Sequence, residues 1–305
     1  MPVDFVGTIE IVQPPDRGQQ KNAMLAFTVS LCVLAVPPLV LSDEAIIREG
    51  VRDKRGVVVH HVTSPFQAGT TSIQVLVPDA ADRCKPMRIL YLLPVEALDG
   101  RRWGDALEEV RKTRLHTRHQ LLCVYPTFSH LPWYADHPVD LEIRQERYLL
   151  EVVMPFVEQN YHDKIKNQVE QPIRLLVGFS KSGWGAFSLI LRHPELFQRA
   201  AAWDAPLMQE QPNRFGMGPI FGGRENFRRY QISELLAKPD ATFLESPRLI
   251  HLGYDNFREH HRRAEQLMNE NKVQHIYHDG PQRRHHWNSG WLEEAIDLLA
   301  KTPAK

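Results

Sequence analysis

A serine flanked by small residues, at the end of an apolar run, is the feature of this chain best suited to chemistry. Residues 173–194 read IRLLVGFSKSGWGAFSLILRHP, where a predicted strand ends at Gly178, Ser180 follows two residues later, and Gly183, Gly185 and Ala186 open a helix. A tight strand-to-helix turn of this kind exposes the hydroxyl at the carboxyl edge of a sheet. It also directs the backbone N–H of Lys181 toward a developing oxyanion. The segment predicts Ser180 as a nucleophile, with a glycine-rich turn that has no chemistry as the alternative.

A nucleophilic serine needs a general base, and the base needs an acid that orients it. In folds with this turn the chain order is serine, then Asp or Glu, then histidine. Asp255 follows an apolar run and His285 lies before the last helical pattern, so we predict these two as acid and base. Asp204 also follows an apolar run and remains an alternative acid, and His286 remains an alternative base.

The nucleophile segment, continued to residue 197 (GFSKSGWGAFSLILRHPELF), resembles that of the putative-esterase family of α/β-hydrolases. That family includes esterase D, enterochelin esterases, feruloyl esterases and mycolyltransferases. Residues 131–136 (LPWYAD), 147–161 (RYLLEVVMPFVEQNY) and 285–287 (HHW) are similar to three further family stretches. The resemblance covers residues 57–300 and places His285 on the family's histidine. It implies serine ester hydrolysis with no metal or organic cofactor.

The chain departs from the family pattern in three places. The family usually has His-Gly after the third strand to supply an oxyanion donor. Here the stretch is Leu-Pro-Val-Glu at 93–96, so the second donor is expected at Val95 or Glu96. Ser182 stands where the family has glycine, and Lys181 places a cation beside the nucleophile. These departures leave room for altered substrate choice or for lost activity.

Aromatic residues cluster near the predicted site. Trp133, Tyr134 and Trp184, together with Trp203 and Trp287, are expected on loops or strand ends around it. They are predicted to wall a pocket for an aromatic or sugar-bearing ester, with core packing as the alternative.

Other motifs indicate structure rather than chemistry. The His-His pairs at 60–61 and 260–261 lack the partner set of zinc helices and are predicted to be structural. The stretch GRENFRRY holds Arg224, Arg228 and Arg229, expected on a solvated face, with a grip on an anionic substrate as the alternative. No metal site is predicted.

The elements that must position these residues alternate between strand and helix patterns, which predicts an α/β-hydrolase fold: a mostly parallel central sheet with helices on both faces. Runs at 57–62 and 72–77 predict an antiparallel pair. Strands that are buried on both faces are predicted at 88–93, 120–125, 173–177, 199–203 and 248–252. Helices are predicted at 103–117, 142–161, 185–192, 257–271 and 291–301. Residues 206–246 are expected to form an excursion over one end of the sheet.

Composition and the amino-terminal segment indicate which partners and which localisation to expect. The chain has 305 residues, and its 37 basic and 37 acidic residues give no basic excess, which argues against a nucleic-acid partner. Residues 23–41 carry no charge, follow basic residues and end before a small residue, which predicts a signal peptide. We therefore expect an exported protein, periplasmic or extracellular, with residues 1–42 as the signal and 43–305 as one domain. An uncleaved membrane anchor is the alternative.

Together these features predict a serine carboxylic-ester hydrolase that works through an acyl-enzyme and acts on a small-molecule or saccharide-linked ester. An acyltransferase of the same fold and a non-catalytic ligand-binding protein remain alternatives.

Overall fold

The computed structural model describes residues 44–79, 87–165 and 172–301. The predicted signal peptide lies outside the described residues. Among the described residues, ten strands form one sheet. The strands are β1 Ile46–Ile47, β2 Val51–Arg52, β3 Val58–Thr63, β4 Thr70–Leu76, β5 Arg88–Leu92, β6 Leu121–Pro126, β7 Arg174–Phe179, β8 Arg199–Trp203, β9 Leu249–Tyr254 and β10 His275–Gln282.

The sheet runs in the order β1-β3-β4-β6-β5-β7-β8-β9-β10, and β2 pairs with β3. The pairs from β6 through β10 are parallel, whereas β1, β2 and β4 pair antiparallel. This confirms the predicted fold class, with an antiparallel β3–β4 pair beside a mostly parallel sheet. The carboxyl ends of β5, β7, β8 and β9 meet at one edge, because neighbouring parallel strands point the same way.

Both faces of the central strands are buried, which explains their nearly continuous apolar runs. Along β7, Leu176 packs into a core on one face, while Leu175 and Val177 pack into a second core on the other. Alternating side chains thus reach opposite faces, as the strand period of two requires. Helices cover both cores.

The helices are α1 Ala106–Thr113, α2 Leu115–Arg118, α3 Gln145–Arg147, a π-helical turn Tyr148–Val153, α4 Met154–Asn160, α5 His162–Ile165, α6 Ser180–Arg192, α7 Gly218–Phe221, α8 Arg224–Arg228, α9 Ile232–Leu236, α10 Thr242–Glu245, α11 Arg258–Glu270 and α12 Trp291–Ala300. The predicted helix at 103–117 is divided at Arg114, whose φ is 56°. The predicted helix at 142–161 contains the π-helical turn. Among the described residues no helix is both long and apolar enough to cross a bilayer.

The excursion at 206–246 contains the short helices α7 to α10. Arg224, Arg228 and Arg229 are exposed there, and Arg228 pairs with Glu234 at 3.2 Å. Their placement agrees with the expected solvated face.

Candidate active site

Ser180 stands on the turn between β7 and α6, at the carboxyl edge of the sheet. Its φ is 52°, a left-handed conformation that a non-glycine residue adopts only under strain. Its backbone N–H donates to the carbonyl of Asp204 at 3.1 Å, so the end of β7 is tied to the end of β8. The turn is too tight for a side chain at Gly178, where a Cβ would lie 2.5 Å from the backbone of Ser182. The predicted strand–serine–helix geometry is therefore present.

Ser182, which replaces the family's glycine, closes this turn. Its Oγ donates to the carbonyl of Phe179 at 2.9 Å and accepts from the N–H of Phe179 at 3.1 Å. The side chain is fully buried. The hydroxyl satisfies both polar groups of the residue before the nucleophile, so the departure from the family pattern is compatible with the turn.

Asp204, at the end of β8, is the carboxylate that contacts the imidazole of His285. Its Oδ2 lies 2.6 Å from Nδ1 of His285, and its Oδ1 accepts from the N–H groups of Asn256 and Phe257, both at 2.8 Å. The Asp204 side chain is 2% exposed and that of His285 is 10% exposed. Burial by itself would raise the pKa of Asp204, but the hydrogen bond from His285 and those from backbone N–H groups lower it below its ordinary value. The group is therefore an anion at neutral pH.

Asp255 does not reach the imidazole, which corrects the predicted pairing. Its Oδ2 accepts from the backbone N–H of His285 at 3.0 Å, and its Oδ1 accepts from Gln282 at 3.1 Å. Both acids follow neighbouring strands, but Asp204 has a φ of 39° and holds the imidazole, while Asp255 holds the loop that carries it.

The imidazole of His285 is enclosed by aromatic rings. It meets Trp103 edge-on at 4.8 Å and Phe179 at 4.9 Å, between ring centroids. Because Phe179 immediately precedes Ser180, this contact places the ring beside the nucleophile turn. The alternative base, His286, instead accepts from the N–H of Asn288 at 3.2 Å.

The groups predicted to hold an oxyanion lie on two elements. Lys181 occupies the first turn of α6, where backbone N–H groups lack helical acceptors. Val95 and Glu96 follow β5, and Glu96 Oε2 accepts from the N–H of Arg102 at 2.6 Å. Burial lowers the pKa of the Lys181 ammonium, partly offset by the charge of Glu96. A partly desolvated cation thus lies beside the nucleophile.

Trp133, Tyr134 and Trp184, predicted as pocket walls, are fully buried. Trp133 and Trp184 meet edge-on at 5.4 Å, and Trp184 stacks on Phe227. In this structure they form the core beneath the site, where large aromatic rings bury the most apolar surface. Trp184 lies on α6 and not on a loop or strand end as predicted. Trp203 and Trp287 are buried as well, leaving each of the five in the core.

One group of side chains among the described residues has the composition of a metal site: His251, Glu265 and His275. The tautomers argue against a ligand role for His251. The N–H of Ala205 donates to Nε2 of His261, so the proton of that ring is on Nδ1, which faces Nδ1 of His251 at 3.3 Å. His251 therefore carries its own proton on Nε2, 3.4 Å from the Glu265 carboxylate, where a metal would need a lone pair.

Three histidines of the two pairs make contacts that agree with the predicted structural role, whereas the fourth, His61, is exposed. His60 bonds to the hydroxyl of Tyr161 at 2.9 Å. His260 and His261 accept from the backbone N–H groups of Met208 and Ala205 at 3.1 and 2.9 Å.

Known proteins that are similar to this chain are esterases and serine hydrolases. The family model described as "Putative esterase" matches residues 140–288, which include Ser180, Asp204 and His285. No curated protein matches the chain. Among solved structures, it is similar to an S-formylglutathione hydrolase from Agrobacterium tumefaciens, with a TM-score of 0.63, 17% identity, and coverage of 83% of this chain and 98% of that one.

Two further structures share the fold. FphF, a fluorophosphonate-binding serine hydrolase of Staphylococcus aureus, has a TM-score of 0.61 and 17% identity, over 84% of this chain and 100% of that one. A ferulic acid esterase has a TM-score of 0.55 and 19% identity, over 84% of this chain and 96% of that one. At these identities the likeness shows the α/β-hydrolase fold, and the family match supports ester hydrolysis.

Proposed function

We propose that this carboxylic-ester hydrolase, whose residues 140–288 belong to the putative-esterase family, uses Ser180, His285 and Asp204 as a catalytic triad. The substrate is a small-molecule ester, and the reaction passes through an acyl-enzyme. The observation that carries the proposal is the buried 2.6 Å contact between Asp204 and Nδ1 of His285, beside the strained Ser180 turn.

The contact with Asp204 sets the proton positions on the imidazole. A carboxylate accepts only, so Nδ1 of His285 carries the proton and Nε2 keeps a lone pair. Nε2 takes the proton of Ser180 as Oγ attacks the ester carbonyl, and Asp204 stabilises the imidazolium that forms. The nearby carboxylate offsets this charge more strongly than water would, because both groups are almost fully buried.

The tetrahedral intermediate then collapses. The bond from the carbonyl carbon to the alcohol oxygen breaks, and His285 returns its proton to the leaving alcohol. Backbone N–H groups stabilise the oxyanion, Lys181 supplying one; each good donor contributes about 3 kcal/mol. Water, deprotonated by His285, next attacks the acyl-enzyme and releases the acid and free Ser180.

The test is labelling of the folded protein with a fluorophosphonate, read by peptide mass spectrometry, alongside hydrolysis of p-nitrophenyl acetate. We expect label on Ser180 in the wild type, none in Ser180→Ala, and slow labelling in His285→Ala. His286→Ala is the matched control and should label at the wild-type rate. A folded wild type that takes no label would refute the proposal.

A further inference from the structure

Tyr134 lies beneath the site, between the nucleophile helix and the loop after β5. Its hydroxyl donates to the carbonyl of Pro94 at 2.5 Å. Burial raises the pKa of this hydroxyl well above its ordinary value, so the group remains a protonated donor. The contact matters because the carbonyl of Pro94 and the N–H of Val95 belong to the same peptide unit.

A peptide unit is planar and trans, so its C=O and N–H point in opposite directions. A hydrogen bond that fixes the carbonyl of Pro94 therefore also fixes the direction of the Val95 N–H. It polarises that N–H as well, since hydrogen bonds along one amide strengthen each other. Among the described residues, the Val95 N–H has no hydrogen-bond acceptor. It is one of the two groups after β5 expected to complete the oxyanion site, and Pro94 has no N–H to compete.

Tyr134 is itself held in a strained position. Its φ is 55°, and the N–H groups of Trp133 and Tyr134 both donate to Oε1 of Gln145, at 2.8 and 2.9 Å. Nε2 of Gln145 donates in turn to the carbonyl of Leu131 at 2.9 Å. Local strain that the surroundings enforce is characteristic of functional positions.

The ring of Tyr134 also fixes the nucleophile helix. It packs so closely on α6 that a Cβ added at Gly185 would lie 2.0 Å from Cδ2 of the ring. One side chain thus contacts the helix that presents Ser180 and the peptide that presents the Val95 N–H.

We propose that Tyr134 is a positioning residue that orients the Val95 N–H as the second oxyanion donor and sets its distance from Ser180. This inference rests on the proposed function. Tyr134 does not touch substrate, and its contribution is made in the transition state, where charge develops on the carbonyl oxygen. Removing its hydroxyl should therefore lower kcat while leaving KM nearly unchanged.

Tyr134→Phe removes only the hydroxyl, and Tyr148→Phe is the matched control. Tyr148 is also fully buried, its hydroxyl bonds to Thr71 at 2.8 Å, and Phe128 packs against both tyrosine rings. We expect both variants to lose similar thermal stability. Only Tyr134→Phe should lower kcat for p-nitrophenyl acetate, by about 30- to 100-fold, somewhat less than complete loss of a donor.

The affinity for phenylboronic acid distinguishes a positioning role of Tyr134 from a purely structural one, which would leave this affinity unchanged. It adds to the serine as a tetrahedral anion, so its affinity should fall with kcat in Tyr134→Phe and stay at the wild-type value in Tyr148→Phe. If Tyr134→Phe does not fold, 3-fluorotyrosine at position 134 keeps the ring and makes the hydroxyl a stronger donor. It should then tighten boronic acid binding about twofold by the same polarisation.

The outcomes separate the two proposals. A wild type that takes no fluorophosphonate label refutes the proposed function. If the wild type is labelled but Tyr134→Phe keeps the wild-type kcat and boronic acid affinity, only the role of Tyr134 is overturned. The same holds if Tyr134→Phe does not fold and 3-fluorotyrosine leaves the boronic acid affinity unchanged.

Discussion

Replacing Asp204 with asparagine tests the assignment of the acid most directly, because the surrounding donors fix how the amide must sit. Oδ1 of Asp204 accepts from two backbone N–H groups at 2.8 Å, those of Asn256 and Phe257. An asparagine keeps its carbonyl oxygen there, so its NH₂ takes the place of Oδ2 against Nδ1 of His285. Nδ1 must then accept, and the ring proton moves to Nε2.

An imidazole protonated on Nε2 cannot take the proton of Ser180. The substitution also removes the anion that stabilises the imidazolium through a 2.6 Å contact between two buried groups. For a change of this kind we expect kcat to fall about 10⁴-fold, equivalent to about 5 kcal/mol of transition-state stabilisation. The free energy of unfolding should change little, because the two backbone donors keep their acceptor.

Steady-state hydrolysis of p-nitrophenyl acetate measures the effect, with Asp255→Asn as the control. Asp255 contacts the backbone N–H of His285 and not its ring, and an asparagine oxygen can replace that acceptor. The kcat of the control should fall less than about tenfold, since a neutral hydrogen bond replaces a charged one. If kcat falls several thousandfold in Asp255→Asn while Asp204→Asn stays active, the tautomer argument is wrong.

Three further outcomes follow from the packing and charge of the site. Ser182→Ala removes the two hydrogen bonds that its Oγ makes with the N–H and the carbonyl of Phe179 and should lower the free energy of unfolding, measured with urea, by about 2 kcal/mol; an unchanged midpoint would contradict the role of its hydroxyl. Gly185→Ala should lower the melting temperature despite better helix propensity, because the new Cβ would overlap the ring of Tyr134; a stabilised variant would show that the ring can move. Burial lowers the pKa of His251 to about 4, below its ordinary 6.5, so the unfolded chain binds this proton first. The free energy of unfolding should therefore be highest above about pH 6.5 and fall by up to about 3 kcal/mol as the pH drops to 4. Urea titrations at several pH values measure this, and a free energy of unfolding that does not change with pH would contradict it.

The nucleophile turn was predictable because its signal is local. The strand run, the serine and the small residues after it lie within one short segment, and the close packing at Gly178 and Gly183 explains why small residues are needed there. The local sequence does not decide between Asp204 and Asp255 as the acid. Both acids follow parallel strands at the same sheet edge, and only the folded structure shows that Asp204 contacts the imidazole while Asp255 contacts the backbone of His285.

The aromatic residues show a second limit on what the sequence can predict. An aromatic residue near a site can pack beneath it or line it, and the local sequence does not distinguish the two. Here Trp133 and Tyr134, on a loop, and Trp184, on α6, pack beneath it. Strand β10 was missed for a different reason. It lies at the end of the sheet order, so its residues are half-buried or exposed and carry no continuous apolar run.

The three groups of the proposed triad are attached to the fold in unequal ways. Ser180 and Asp204 end adjacent strands that pair at Phe179 and Trp203, so the register of the central sheet carries them as one rigid unit. His285 comes from the loop after the edge strand β10, anchored by Asp204 and Asp255. Edge strands and their loops open at a lower free energy than central strands. Heat should therefore detach the imidazole first, and enzymatic inactivation should precede loss of the sheet and reverse on cooling.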